Sequence, residues 1–126
     1  MKIYQSYIDG KWMNSLSNDI IQVEDPASTK IIGEIACAKK ADVDIAVQAA
    51  KKSFDNRILV DMPILDRAKL MHRIAEETRK IAKEGGTLLC YENGKQIAAG
   101  IKEFNDVADM FDYYAGLTDK LEGKTI

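Results

Sequence analysis

The sequence predicts an α+β fold, with strands first and helices after. Two observations carry this. Up to residue 36, β-branched residues stand in short runs separated by turn formers, and from residue 40 the apolar spacing changes to that of helices. A third observation bounds the size. At 126 residues, with 46% apolar and 30% charged residues, the chain suits one small packed domain and not a disordered segment. The expectation is a single unit over 1–126, with β-hairpins in 1–36 and three or four helices in 40–122.

Taking the elements in order, Tyr4 to Trp12 alternates around Asp9-Gly10, a strong local hairpin signal. Residues 14–19 are turn formers. Ile20, Ile21 and Val23 read as a strand leading into a turn at Asp25-Pro26-Ala27-Ser28-Thr29, where Pro26 donates to no ladder. Ile31, Ile32 and Ile35 make the returning strand, so two successive hairpins are predicted.

Val43, Ala46, Val47, Ala50 and Phe54 share one helical face. Asp42 and Asp44 stand in its first turn and Lys51-Lys52 near its end, as the helix dipole favours. Lys39 and Lys40 make a poor N-cap. Pro63 suits the first turn of a second helix, with Asp61 ahead of it as cap. Leu70, Met71, Ile74, Thr78 and Ile81 stripe that helix, which Gly85-Gly86 can end; Thr87 to Tyr91 then reads as a short helix closed by Asn93-Gly94. The last helix carries a seam of Ile97, Ile101, Phe104, Ala108, Phe111 and Ala115, widened by Val107, Met110 and Tyr114. A continuous helix over 97–121 would be ~37 Å long unless Gly116 breaks it. A stripe of that extent asks for something to lie against. Gly123-Lys124-Thr125-Ile126 reads as the opening of a further strand.

Composition excludes several classes of function. Eighteen basic and twenty acidic residues are mixed along the chain, with no one-signed face for nucleic acid. No window approaches the ~20 apolar residues of a membrane span, and the N-terminus has no signal-peptide run. A cytoplasmic protein is expected, with no nucleic-acid or membrane partner. Cys37 and Cys90 have no second Cys or His near them, so neither metal spacing nor a redox pair exists, and both read as packing residues. His72 is the only histidine and reads as a rim residue on a helix. No GxGxxG or GxxxxGK[ST] cradle occurs.

Several fragments carry a family pattern when read in chain order. They are Tyr7-Ile8-Asp9-Gly10-Lys11-Trp12, Asp25-Pro26-Ala27 with Ile32-Gly33-Glu34-Ile35, and Ala41-Asp42-Val43-Asp44 followed by Ala46-Val47 and Ala49-Ala50. Arg67-Ala68, Glu92-Asn93-Gly94-Lys95, Tyr113-Tyr114-Ala115-Gly116 and Gly123-Lys124-Thr125-Ile126 continue the series. Together they cover essentially the whole chain and resemble the N-terminal segment of the NAD(P)-dependent aldehyde dehydrogenase superfamily. Asp25 stands for the usual Asn, Thr29 for a turn Gly, and residues 55–62 lack a Trp often found there.

The resemblance implies the N-terminal part of the α/β aldehyde dehydrogenase fold. It also implies an enzyme that oxidises an aldehyde to an acid through a cysteine thiohemiacetal, with hydride passing to NAD(P). The nucleophilic Cys, the Glu base, the oxyanion-hole Asn and the cofactor-holding residues of the family lie downstream of this segment. No catalytic or cofactor-binding residue is therefore assigned here. No cofactor is expected on this chain alone, and NAD(P) is implied for the complete enzyme. A monovalent-cation role is implied for Glu24, through its carbonyl, and for Glu92, which also reads as a solvated or capping glutamate. Lys102 and Asp106 match positions beside the family's substrate entrance. The expected partner is the missing catalytic portion of such an enzyme. The alternative is a non-catalytic interaction or oligomerisation module that self-associates through the 97–115 helix.

Overall fold

The computed structural model describes residues 3–120 and 122–123. Among the described residues there are five strands followed by three helices, so the strands-then-helices prediction holds. The chain divides into two compact units, Met1–Ile58 and Leu59–Ile126. The reading of Lys124–Ile126 as a strand lies outside the described residues.

In the first unit, β2 (Ser6–Ile8) and β3 (Lys11–Met13) form the predicted antiparallel hairpin. Asp9 and Gly10 both take positive φ, 48° and 80°, the mirror-image turn whose twist matches two-residue hairpins. β1 (Ile3–Tyr4) does not belong to this hairpin, as the sequence had suggested for Tyr4. It pairs in parallel with β5 (Ile31–Ala36), which pairs antiparallel with β4 (Ile20–Glu24), giving the order β1-β5-β4. The Tyr4 ring lies over Gly33, where a Cβ would stand 3.4 Å from Tyr4 Cε2, an ordinary contact. The β4–β5 register shifts between Val23 and Glu24.

The 25–30 turn is tied by Asp25, whose carboxylate accepts from Ala27 N–H at 2.9 Å and the Ser28 hydroxyl at 2.6 Å. These bonds hold the Asp25 carboxyl below its ordinary pKa. Helix α1 spans Lys40–Asp55, and its weak N-cap is offset from within the helix. Asp42 accepts from the Lys39 N–H at 2.8 Å and from the Leu16 N–H at 2.8 Å, tying the 15–17 loop to the helix start. The same two bonds, led by that from Lys39, lower the Asp42 pKa.

α1 covers only part of the face predicted for it. Val43, Val47 and Phe54 stay exposed, Phe54 at 75%. The alanines of that face, Ala46 and Ala50, with Ala49 and Ser53 beside them, line a groove with Tyr7, Ile8 and Gly10 of the hairpin. Small side chains meet the hairpin, and of the larger ones Ile45 is half-buried.

In the second unit, α2 runs unbroken from Ile64 to Asn93, about 45 Å. Pro63 itself takes the N-cap position, and its carbonyl accepts from Asp66 and Arg67 N–H at 3.0 Å, so Asp61 is not the cap. The Arg67 guanidinium straps the preceding loop by donating to the Val60 and Met62 carbonyls.

Gly85-Gly86 does not end α2, and no separate helix covers 87–91. The pair sits where α3 (Ile97–Ala115) crosses closely. A Cβ on Gly86 would fall 2.5 Å from the Ile101 backbone nitrogen, and one on Gly85 would overlap the outer edge of the Phe104 ring. Gly100 of α3 meets the Gly86 carbonyl in the same way. The glycines are spent on tertiary approach, not on a helix stop. α2 ends instead at Gly94, φ 76°, whose N–H bonds the Cys90 carbonyl at 2.8 Å, as Asn93-Gly94 predicted.

α3 stops at Ala115 and does not continue to 121. Gly116 N–H is shared between the Asp112 and Tyr113 carbonyls, and Leu117 and Thr118 continue in tight i→i−3 bonds. The seam finds its cover within the unit. Ala108 and Ala115 are buried and Ile101, Phe104 and Phe111 half-buried on the α2 side. Gly86→Ala is therefore expected to push the helices apart and cost about 1–3 kcal/mol. Denaturant unfolding followed by helical circular dichroism measures it, and an unchanged midpoint would show that the helices do not meet at Gly86.

Candidate functional site

Each residue singled out by the sequence has a definite place. Glu24 is the exposed last residue of β4, at the register shift. Glu92 is exposed in the last turn of α2, beside Asn93, whose side-chain oxygen accepts from the Lys95 N–H at 3.1 Å. The first belongs to the Met1–Ile58 unit and the second to the Leu59–Ile126 unit. Among the described residues no three His, Cys, Asp or Glu side chains cluster as a metal site.

Lys102 and Asp106 are brought together. One helical turn apart on α3, they form an exposed ion pair of 2.6 Å. Asp106 raises the Lys102 pKa, first by hydrogen bonding and then by its charge. This is the ordinary i,i+4 arrangement of a solvated helix face.

The two cysteines are free thiols, each half-buried. The Cys90 thiol donates to the Lys95 carbonyl across the α2–α3 turn. Cys37 follows β5, with its N–H on the Asp19 carbonyl at 2.9 Å. Close by, Lys39 pairs with Asp19 at 3.1 Å. Its pKa is raised by Asp19 first and by Cys37 next.

The arrangement that sequence reasoning missed lies on α2 and α3. Arg79 reaches both Asp109, at 2.6 Å, and Asp112, at 2.7 Å. His72 Nδ1 meets the other Asp112 oxygen at 2.6 Å. Asp112 thus takes partners on both oxygens, and its pKa is lowered by His72 first and Arg79 second. The Arg79 pKa is raised in return, chiefly by Asp109. A signal was present: His72 and Arg79 are seven apart, hence on one face of α2, and Asp109 and Asp112 are three apart on α3. Only the inter-helix register shows that the two faces meet. The cluster clamps the helix pair, and no nucleophile stands in it.

Comparison with known proteins completes the description. The model of the aldehyde dehydrogenase family matches residues 12–126. The peroxisomal aminoaldehyde dehydrogenase 1 of Pisum sativum is 34% identical over 123 residues, 95% of this chain and 24% of that protein. The D-glyceraldehyde dehydrogenase (NADP(+)) of Thermoplasma acidophilum is 32% identical over 120 residues, 95% of this chain and 24% of its own length. Among solved structures, the NAD-dependent aldehyde dehydrogenase of Sinorhizobium meliloti superposes with a TM-score of 0.91 at 31% identity. That match covers 98% of this chain and 25% of the other. The chain spans about a quarter of the length of the relatives it matches.

The clamp makes a pH prediction. A carboxyl whose folded pKa is lowered contributes stability that is present above its ordinary value, 3.8, and lost as pH falls through the lower folded value. Acid unfolding of the helix pair should therefore steepen below pH 3.8, and Asp112→Asn should remove that part of the slope while lowering the thermal midpoint at neutral pH. Thermal scans across pH, wild type against variant, check it. Parallel curves would show that the clamp carries no stability.

Proposed function

Since the chain belongs to the aldehyde dehydrogenase family and corresponds to its N-terminal segment, we propose that it forms the front part of an enzyme that oxidises an aldehyde to an acid and passes hydride to NAD or NADP. The observation that carries this is colinearity. One family model runs from residue 12 to residue 126, and 98% of the chain superposes on a quarter of an enzyme whose name is NAD-dependent aldehyde dehydrogenase. The NADP named for the Thermoplasma relative leaves the choice of nicotinamide cofactor open to either.

In this reading the nucleophilic cysteine, its base and the dinucleotide site belong to the remaining three-quarters of the enzyme. The chain's own glycines are engaged elsewhere. Gly10 and Gly94 make turns at positive φ, and Gly85, Gly86 and Gly100 admit the helix crossing, which leaves none of these for a phosphate cradle. The role proposed for the chain is to build and stiffen, with the α2–α3 pair as its rigid element. A cation on the Glu24 carbonyl and Glu92, and a substrate path past Lys102 and Asp106, are parts of the same proposal. So is a cytoplasmic location. No helix among the described residues is long and apolar enough to cross a membrane.

A second reading, a non-catalytic interaction module, is favoured by the exposed apolar residues Val107, Met110 and Tyr114 on α3.

A chimera tests the first reading. Residues 1–126 replace the matching quarter of the Sinorhizobium meliloti enzyme, and NADH formation with several aldehydes is followed. The chimera is expected to turn over, and the 126-residue chain by itself to show neither turnover nor saturable binding of NAD or NADP by calorimetry. A folded chimera that binds NAD but forms no NADH would defeat the proposal, as would turnover by the chain alone.

A further inference from the structure

Of the chain's asparagines, Asn93 alone is followed by glycine; the others precede Ser15, Asp19, Arg57 and Asp106. Asn93 and Gly94 are both exposed at the end of α2. The Asn93 side-chain oxygen accepts from the Lys95 N–H at 3.1 Å. A bond from a side chain to the backbone two residues on folds the amide back across the intervening peptide. Asn93 Cγ is thereby held beside the Gly94 nitrogen, and Gly94 has no Cβ to keep them apart. The same Lys95 N–H polarises the side-chain carbonyl and stands where a negative charge on Oδ1 would form. Asn14 and Asn105 are committed differently. Asn14 Oδ1 accepts from Gln5 Nε2 at 2.9 Å, and the Asn105 amide donates to the Ile101 carbonyl at 3.1 Å.

We propose that Asn93 is a site of spontaneous deamidation, with the Gly94 backbone nitrogen as nucleophile and water as the only co-reactant. The Gly94 nitrogen gives its proton to hydroxide and attacks Asn93 Cγ. A C–N bond forms, the side-chain nitrogen leaves as ammonia, and a cyclic imide remains. Water then opens the imide at either carbonyl. Opening at the side-chain carbonyl leaves aspartate; opening at the main-chain carbonyl leaves isoaspartate, whose main chain runs through Cγ. No atom changes oxidation state. The structure also sets the gate. The Gly94 N–H is held by the Cys90 carbonyl at 2.8 Å, so the last turn of α2 must fray before the proton can leave. Either product places a carboxylate beside Glu92 at a helix C-terminus, where the dipole disfavours anions. Isoaspartate also adds an atom to the main chain, which moves Gly94 and Lys95 off the Cys90 carbonyl and thiol that they meet. The α2–α3 turn thus carries a covalent mark of age that loosens it. The proposal is independent of the enzyme reading.

Peptide mapping of the 126-residue chain tests it. The folded chain is kept at body temperature at mildly alkaline and mildly acidic pH, and each asparagine peptide is followed by mass spectrometry. Conversion of amide to acid is expected at Asn93, rising with pH as hydroxide does, while Asn14, Asn18, Asn56 and Asn105 stay amides. An isoaspartyl methyltransferase should label the product. Gly94→Ala should slow conversion on the order of tenfold, and Asn93→Gln, which needs a larger ring, should abolish it. Asn93→Asp keeps an acceptor for the Lys95 N–H, so its thermal midpoint should lie above that of the aged chain. An Asn93 that stays an amide, or converts no faster than the other asparagines, would overturn the proposal. So would conversion confined to the urea-unfolded chain, which would show that the bond from Gly94 to Cys90 seals the site. A midpoint for Asn93→Asp equal to that of the aged chain would overturn the loosening by isoaspartate.

Discussion

The second unit depends on one constraint, the closeness of two helices at Gly86 and Gly100. Where the Gly86 carbonyl meets Gly100, backbone stands against backbone with no room for a methyl group. Further along the pair Ala75, Ala82, Ala108 and Ala115 are buried, and among the described residues no large side chain is fully buried. Small residues at the closest points let the helices approach, and Ile101, Phe104 and Phe111 pack half-buried beside them while Ile81, Leu88, Val107 and Tyr114 stay exposed.

The first unit repeats the rule on a smaller scale. α1 turns Ala46, Ala49 and Ser53 toward the β2–β3 hairpin and leaves Val43, Val47 and Phe54 in water. Its polar side is fixed more tightly than its apolar one. Asp42, 6% exposed, holds both the helix start and the 15–17 loop through backbone N–H groups. Asp25 does the same for the turn after β4. Local geometry is thus set by carboxylates accepting backbone bonds, which act at short range and are complete within the unit. Apolar burial, which acts at long range, is left incomplete in both units.

That division explains what could be read in the sequence. The Asp9-Gly10 turn, the Gly94 helix stop and the strands flanking Pro26 are local, and the structure has them where the residues placed them. Gly85-Gly86 was misleading, because glycine ends helices by local conformation but also sits inside them where a neighbour comes close, and one chain of letters does not show the neighbour. Ile3 and Tyr4 join β5 at Glu34 and Ile35, far along the chain, a pairing no local pattern encodes. The face of α1 was read from apolar spacing; its alanines, Ala46 and Ala50, do line the hairpin groove, while Val43, Val47 and Phe54 stay exposed, a split that spacing alone does not show. Of the residues marked for chemistry, the Lys102–Asp106 pairing follows from i,i+4 spacing, whereas the His72–Arg79–Asp109–Asp112 clamp needs the register between helices.

The apparent chemistry of the chain is weakened by the same local pairing. A charged side chain can serve a substrate only if its charge is free to turn toward it. Here Lys102 is taken by Asp106, Arg79 by two aspartates, and Lys95 by Glu103. The exposed pairs exchange easily with water, so a ligand could break Lys102–Asp106 at small cost. Arg79 is different, because releasing it loosens the crossing that its two bonds brace. A segment whose strongest electrostatics hold its own helices together leaves little free charge on that pair for a ligand.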